Sequence, residues 1–307
     1  MGACEGKVTR NTNLIIAIGA IIIIAAAGIY WMSSNQPKTV QIQQKGSDTL
    51  LVLAQNWAEK YMQDQENVEI VVSGGGSGTG ISALINKQID IADASRSIKS
   101  TEIDDAQQNG VNPEEWKVAL DGISVILNKN NPLTELSYEQ IRGIYNGSIV
   151  NWSEIGGVEG VVVAYGRQST SGTYVYFNEE VLDEDDYRAD KQQLAGNSEI
   201  VEAVINDPNG IGYVGVAYAE ARKHELTIAS VKKVDTGQTY QPTPSNIASG
   251  DYPISRYLYV YTDGIPDGAV QEYLKFILSG EGQDIVEQVG YIGLPQQILS
   301  EQLSKLS

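Results

Sequence analysis

The chain is predicted to be an α/β protein whose strands end at anion-facing turns, and three observations predict it. Val68, Ile70, Val71 and Val72 lead straight into SGGGSGTGISAL, residues 73–84, which reads as strand, glycine-rich turn and helix. The same order recurs at residues 40–61, where Val40 and Ile42 precede a Gly-Ser turn, and at residues 161–174, VVVAYGRQSTSGTY. Finally, 307 residues with 42% hydrophobic and 20% charged content supply a core for one large or two medium domains.

Taken in order, residues 14–32, LIIAIGAIIIIAAAGIYWM, carry no charge and have about the length that crosses a bilayer as one helix. Lys7 and Arg10 precede them, so residues 1–13 are expected in the cytoplasm and everything after Trp31 outside. A secretory signal cut near Ala25, Ala27 and Gly28 is the competing reading; the length favours an anchor. Cys4, the one cysteine, excludes an intramolecular disulfide and lies before the apolar run, not after it as in a lipoprotein. Residues 33–39 read as a polar linker.

In the first soluble segment, Leu50, Leu53, Ala54, Trp57, Ala58 and Tyr61 recur at helical spacing after the GSDT turn, with Ser47, Asp48 or Thr49 as the expected N-cap. A helix to about Lys87 follows the glycine turn, then a short buried strand around Ile89 and Ile91 that ends at Ser95 and Arg96. Three successive strand ends thus present Ser, Thr or Arg, and in open α/β sheets ligands bind beyond such ends. From about Asp121, GISVILNKNNP predicts a strand, Ser137 caps a helix, and the turn after Val163 carries Arg167, Ser169, Thr170, Ser171, Gly172 and Thr173 before a helix near Tyr174. DEDDYR, residues 183–188, reads as a solvated face or loop, and His224, the single histidine, as an exposed helix end. The β-rich YPISRYLYVYTD precedes two closing helices, the first stopped by Gly280, and a C-terminal turn.

The glycine turn of residues 73–80 puts backbone N–H groups and a helix N-terminus beside Ser77 and Thr79, which suits a small oxyanion. Glycine lets the backbone come close and take positive φ. The lysine of a Walker loop is missing, so a nucleotide site is disfavoured. Arg167 beside Ser-Gly-Thr is a second anion motif, its planar fork matching a tetrahedral oxyanion, although a carboxylate partner for it is the competing reading. A net charge of −18 argues against a general surface for nucleic acid or anionic lipid, so any anion must be bound locally.

GSDTL, SGGGSGTG, DIADASR, GRQSTSGT, PNGIGYVG, YPISRYLYVYT and EGQDIVEQVGYIGLP stand in one order over about residues 40–295. Together they resemble the phosphate-binding proteins of Pst-type ABC transporters, in the type II periplasmic-binding-protein superfamily. The resemblance implies two α/β lobes joined by two crossing hinge strands, with one transmembrane helix ahead of them here. It puts the lobes at 40–122 plus 257–307 and at 123–256, with crossings near 123–127 and 255–259. It implies inorganic phosphate as ligand, permease and ATPase subunits as partners, no cofactor, no metal, no catalysis, a monomer, and an extracytoplasmic soluble part. By motif it carries the anion to Thr49 and Leu50 through backbone N–H groups, to the hydroxyls of Thr49 and Ser77, to Arg167, and to Ser171, Gly172 and Thr173. Ser47, Asp48, Ser95 and Arg96 complete the candidate set. Many relatives place an aspartate where Ser95 stands, which leaves the acceptor for a phosphate proton to Ser95, Asp48 or Asp93. Sulfate or molybdate is the alternative ligand. A serine hydrolase using Ser77 or Ser171 is a rival from another class, and His224 in its charged stretch is a poor base for it.

Overall fold

The computed structural model describes residues 39–306, so the apolar segment of residues 14–32 lies outside the described residues. No helix among the described residues is long and apolar enough to cross a membrane. Strands β1 (Val40–Gly46), β2 (Val68–Ser73) and β3 (Ile91–Ala94) alternate with helices α1 (Leu51–Asp64), α2 (Ser77–Ile85) and α3 (Ser100–Gln108). The 16-residue β4 (Pro113–Asn128) follows, buried from Val118 onward, as a strand covered on both faces must be. Next come β5 (Glu135–Ser137), α4 (Tyr138–Asn146), β6 (Val163–Arg167), α5 (Gly172–Glu180), β7 (Gln192–Leu194), α6 (Asn197–Asn206), β8 (Gly210–Gly215) and α7 (Val216–Ala221). The chain closes with β9 (Leu226–Ile228), β10 (Ser230–Lys232), β11 (Thr239–Tyr240), α8 (Pro244–Ser249), β12 (Ser255–Asp263), α9 (Gly268–Ile277), α10 (Gly280–Val289) and α11 (Gln296–Ser304).

The main sheet runs β2-β1-β3-β12-β4-β8-β6-β7, with β9 also on β4. β1 and β3 are parallel at one end, β8, β6 and β7 parallel at the other, and the antiparallel pair β12 and β4 joins them. β4 pairs with β12 from Pro113 to Gly122 and with β8 from Ile123 to Leu127. One continuous strand therefore passes from the first half to the second at Gly122 and Ile123. Each half also has apolar packing of its own: Ile81, Leu84, Ala92 and Tyr261 in the first, Ile126, Ile200, Val204 and Val214 in the second.

Four sequence expectations are corrected. The N-cap of α1 is Leu50, without a side-chain cap bond, so Ser47, Asp48 and Thr49 are free for other partners. α5 begins at Gly172, two positions before Tyr174, because Ser171 accepts the Thr173 and Tyr174 N–H groups. Gly280 does not stop α9; it opens α10, capped by Ser279. The C-terminus forms α11 rather than a turn. Ser137 caps α4 as its spacing predicts.

Candidate functional site

The ends of β1, β2 and β3 meet the end of β6 and the start of α5. The Ser47 N–H donates to the Asp93 carbonyl at 2.9 Å and the Gly76 N–H to the Gly46 carbonyl at 2.9 Å, which draws the first three strand ends together. The Gly78 N–H then crosses to the Thr170 carbonyl at 3.0 Å. Gly76 has φ +93°, and a Cβ there would stand 2.6 Å from that same carbonyl oxygen. Glycine here serves a close approach between the two halves as well as the turn itself.

Small hydroxyls converge at this junction. Ser47 Oγ donates to Ser95 Oγ at 2.9 Å, the Ser95 N–H donates to Ser77 Oγ at 3.0 Å, and Thr49 Oγ1 and Thr173 Oγ1 share a bond of 2.9 Å across the halves. Ser47, Thr49, Ser77, Ser95, Ser171 and Thr173 are all buried, as is Leu50. Gly172 lies so near that a Cβ on it would be 2.2 Å from Ser77 Oγ. Two of the backbone donors expected for an anion have protein acceptors: the Leu50 N–H goes to the Ser47 carbonyl at 3.0 Å and the Thr49 N–H to Ser47 Oγ at 3.3 Å.

Arg167, at the last position of β6, is 1% exposed. Its Nη2 donates to Asp48 Oδ2 at 2.5 Å and to the Ala195 carbonyl at 2.7 Å, so the carboxylate pairing weighed from the sequence is present. Its Nε and Nη1 are buried without a protein partner. A buried N–H left unsatisfied is costly, so these two atoms mark where an acceptor belongs. Asp48 is bonded through both oxygens: Oδ1 accepts the Gly75 N–H at 3.0 Å while Oδ2 holds Arg167. Beneath Arg167, Lys191 donates to its carbonyl at 3.1 Å and lies over the Tyr174 and Tyr187 rings; burial lowers this ammonium's pKa to about 8. Outside the junction, Asp48, Gly75, Gln168, Ala195, Asn197 and Tyr218 border an open groove of about 400 Å³.

Two expectations for nearby charges change. Arg96, counted in the candidate set, forks onto Glu102 at 2.7 and 2.8 Å and reaches the Ser97 carbonyl. Burial pushes the Glu102 carboxyl up, but Arg96 and the Lys99 N–H outweigh it and hold it below the usual range. Asp93 does not turn to the hydroxyl cluster. It accepts from Gln44 Nε2 at 2.7 Å, and Gln44 accepts from Tyr273, so burial pushes its carboxyl up to about 7 against that one hydrogen bond.

The sequence reading missed Arg256 and Asp121, a pair almost fully buried beside Thr173, with Arg256 donating to Asp121 Oδ2 at 2.8 and 3.0 Å. Charged residues at inward positions of two otherwise apolar strands were the available signal. It also missed Tyr218 and Tyr291, which donate to the Asp48 and Thr49 carbonyls and hold the GSDT turn. Among the described residues no group of three or more His, Cys, Asp or Glu is placed to hold a metal ion.

Residues 33–281 match a family described as the PBP superfamily domain. The phosphate-binding protein PstS of Staphylococcus saprophyticus is 33% identical over 296 residues, covering 94% of this chain and 92% of that one. PstS of Pseudomonas aeruginosa is 33% identical over 278 residues, 85% of each chain. Among solved structures, a putative phosphate ABC transporter substrate-binding protein with bound phosphate from Clostridium perfringens superposes with a TM-score of 0.74 at 29% identity, covering 83% of this chain and 100% of that one.

Proposed function

Since the chain belongs to the PBP superfamily and, within it, to the PstS phosphate-binding proteins, we propose that it captures inorganic phosphate outside the cytoplasm and delivers it to the permease and ATPase of an ABC importer. The observation that carries this is Arg167: a guanidinium 1% exposed, with Nε and Nη1 unpartnered, where six buried hydroxyls from both halves converge. A tetrahedral oxyanion supplies the acceptors those groups need. It is a binding protein and not an enzyme.

In this reading the anion is held by Thr49, Ser77, Arg167, Ser171, Gly172 and Thr173. Ser47 and Ser95 sit behind them as linked hydroxyls. Asp48 holds Arg167 across the cleft, and Leu50 and Arg96 act through the backbone of their own segments. The lobes are residues 40–122 with 257–307 and residues 123–256, which the change of β4's partner at Gly122 and Ile123 supports. Hinge closure about β4 and β12 brings them onto the ligand. Residues 14–32 anchor the chain to the membrane, and the binding part works as a monomer.

The magnitudes are compatible with a chain of net charge −18. A micromolar dissociation constant needs about −8 kcal/mol, hydrogen bonds to a charged group contribute roughly 1.5–3 kcal/mol each, and surface charge beyond about 8–10 Å is screened. Local donors win over distant repulsion. Calorimetric titration of residues 36–307 with phosphate, sulfate and molybdate tests the reading: saturable one-to-one binding of phosphate is expected, and no binding of any of the three overturns it.

A further inference from the structure

Arg256 belongs to none of the turns that build the anion site, yet its guanidinium touches residues from both halves of the molecule. β12 turns Arg256, Leu258 and Val260 inward, so the two-residue period of the strand brings a charged fork to a position otherwise filled by aliphatic side chains. Nε and Nη2 donate to Asp121 Oδ2 at 3.0 and 2.8 Å, Nη1 to the Ser95 carbonyl at 2.7 Å, and Nη2 also to Thr173 Oγ1 at 3.0 Å. Asp121 in turn accepts the Val216 N–H at 3.1 Å through its other oxygen. One side chain thus joins the end of β3, the first turn of α5 and the crossing strand β4.

The consequence lies in the direction of a proton. A guanidinium has donors and no acceptor, whereas a hydroxyl has one proton and two lone pairs. Arg256 takes a lone pair of Thr173, so the Thr173 proton must point away from the guanidinium. Thr49 Oγ1, 2.9 Å away, shares a hydrogen bond with the same hydroxyl. An oxyanion that takes the place of Thr49 as partner of the Thr173 hydroxyl then meets a donor, whereas a freely turning hydroxyl could as well present it a repelling lone pair. Resting on the oxyanion reading above, we propose that Arg256 is a positioning residue of the anion site, which fixes the Thr173 hydroxyl as a donor toward the ligand and ties it through Asp121 and Ser95 to the crossing strands.

The test is a cycle on the full-length protein. Removing the arginine alone would leave a buried carboxylate unpaired, so the variant is Arg256→Gln with Asp121→Asn; glutamine offers an acceptor as well as donors and no longer dictates the proton's direction. Phosphate affinity is measured calorimetrically for this variant, for Thr173→Val, for their combination and for wild type, with thermal unfolding in parallel. The expected loss is about 10- to 100-fold when Thr173 is present and less than about threefold further when Thr173 is valine, because the two changes break one chain. Equal losses in both backgrounds would show a merely structural role and overturn the proposal, as would unchanged affinity in the Arg256 variant. Should that variant fail to fold, Arg256→Lys carries the same cycle, since a single ammonium cannot bridge three partners. A wild type that does not bind phosphate instead overturns the oxyanion reading itself.

Discussion

Gly172→Ala opposes a local preference to a tertiary one, and the distances decide between them. Gly172 opens α5 with a backbone that an ordinary residue can adopt, so helix propensity alone favours alanine by up to about 1 kcal/mol. A Cβ at this position, however, would stand 2.2 Å from Ser77 Oγ, 2.7 Å from Ser95 Oγ and 2.9 Å from Ser77 Cβ. The Ser77 hydroxyl can turn aside, at the loss of its bond from the Ser95 N–H, but the Ser77 Cβ cannot. The halves must therefore separate by several tenths of an ångström. Overpacking of this kind costs about 1–3 kcal/mol, which exceeds the propensity gain. On the proposed lobe assignment Gly172 and Ser77 lie on opposite lobes, so the cost would fall on the closed state alone, and phosphate affinity should drop about 5- to 150-fold. Calorimetry measures the affinity, and unfolding without phosphate checks that the variant is otherwise intact. A dissociation constant within about threefold of wild type would refute the reasoning, since the lobes would then not close as tightly as these contacts require.

Arg167→Ala should lose about 2–5 kcal/mol of phosphate binding, while Lys129→Ala and Lys232→Ala change little; a loss under about tenfold for Arg167→Ala removes it from the site. Asp93, pushed up to about 7 from 3.8 by burial, binds a proton more tightly folded than unfolded. Its contribution is therefore complete below about pH 4 and is lost as pH rises through 7, by up to about 4 kcal/mol for a shift of roughly three units. Asp93→Asn should accordingly gain stability relative to wild type between pH 5 and pH 8 in urea unfolding, and parallel curves would contradict the buried-acid account. Phosphate should bind more tightly than sulfate, with Asp48→Asn or Ser95→Ala narrowing the ratio in competition titrations; equal wild-type affinities would end the phosphate assignment. Mass spectrometry of the native protein should find residues 14–32 retained, and a mature N-terminus between Ala27 and Ser34 would identify a cleaved signal instead.

By itself the sequence determined what depends on neighbours in the chain. Apolar alternation around Val68–Ser73 and helical spacing from Leu53 to Tyr61 specify strand and helix because side-chain direction follows backbone period. Glycine runs and Ser-Gly-Thr turns mark anion-ready helix starts for the same local reason, and the order of those turns was enough to indicate the family. Pairing across long separations was not legible there. Ser47, Asp48 and Thr49 look like caps until the fold brings Ser95, Arg167 and Thr173 to them. Arg96 and Asp93 look like site residues until Glu102 and Gln44 claim them. Arg256 is 83 residues from Thr173, 135 from Asp121 and 161 from Ser95 along the chain, yet all three lie within hydrogen-bond reach of it. A hydrogen bond acts over about 3 Å, whereas the period of a strand tells only which face a side chain takes. Which partner waits on that face is decided when β4 and β12 pair and bring the strands on either side of them into one sheet.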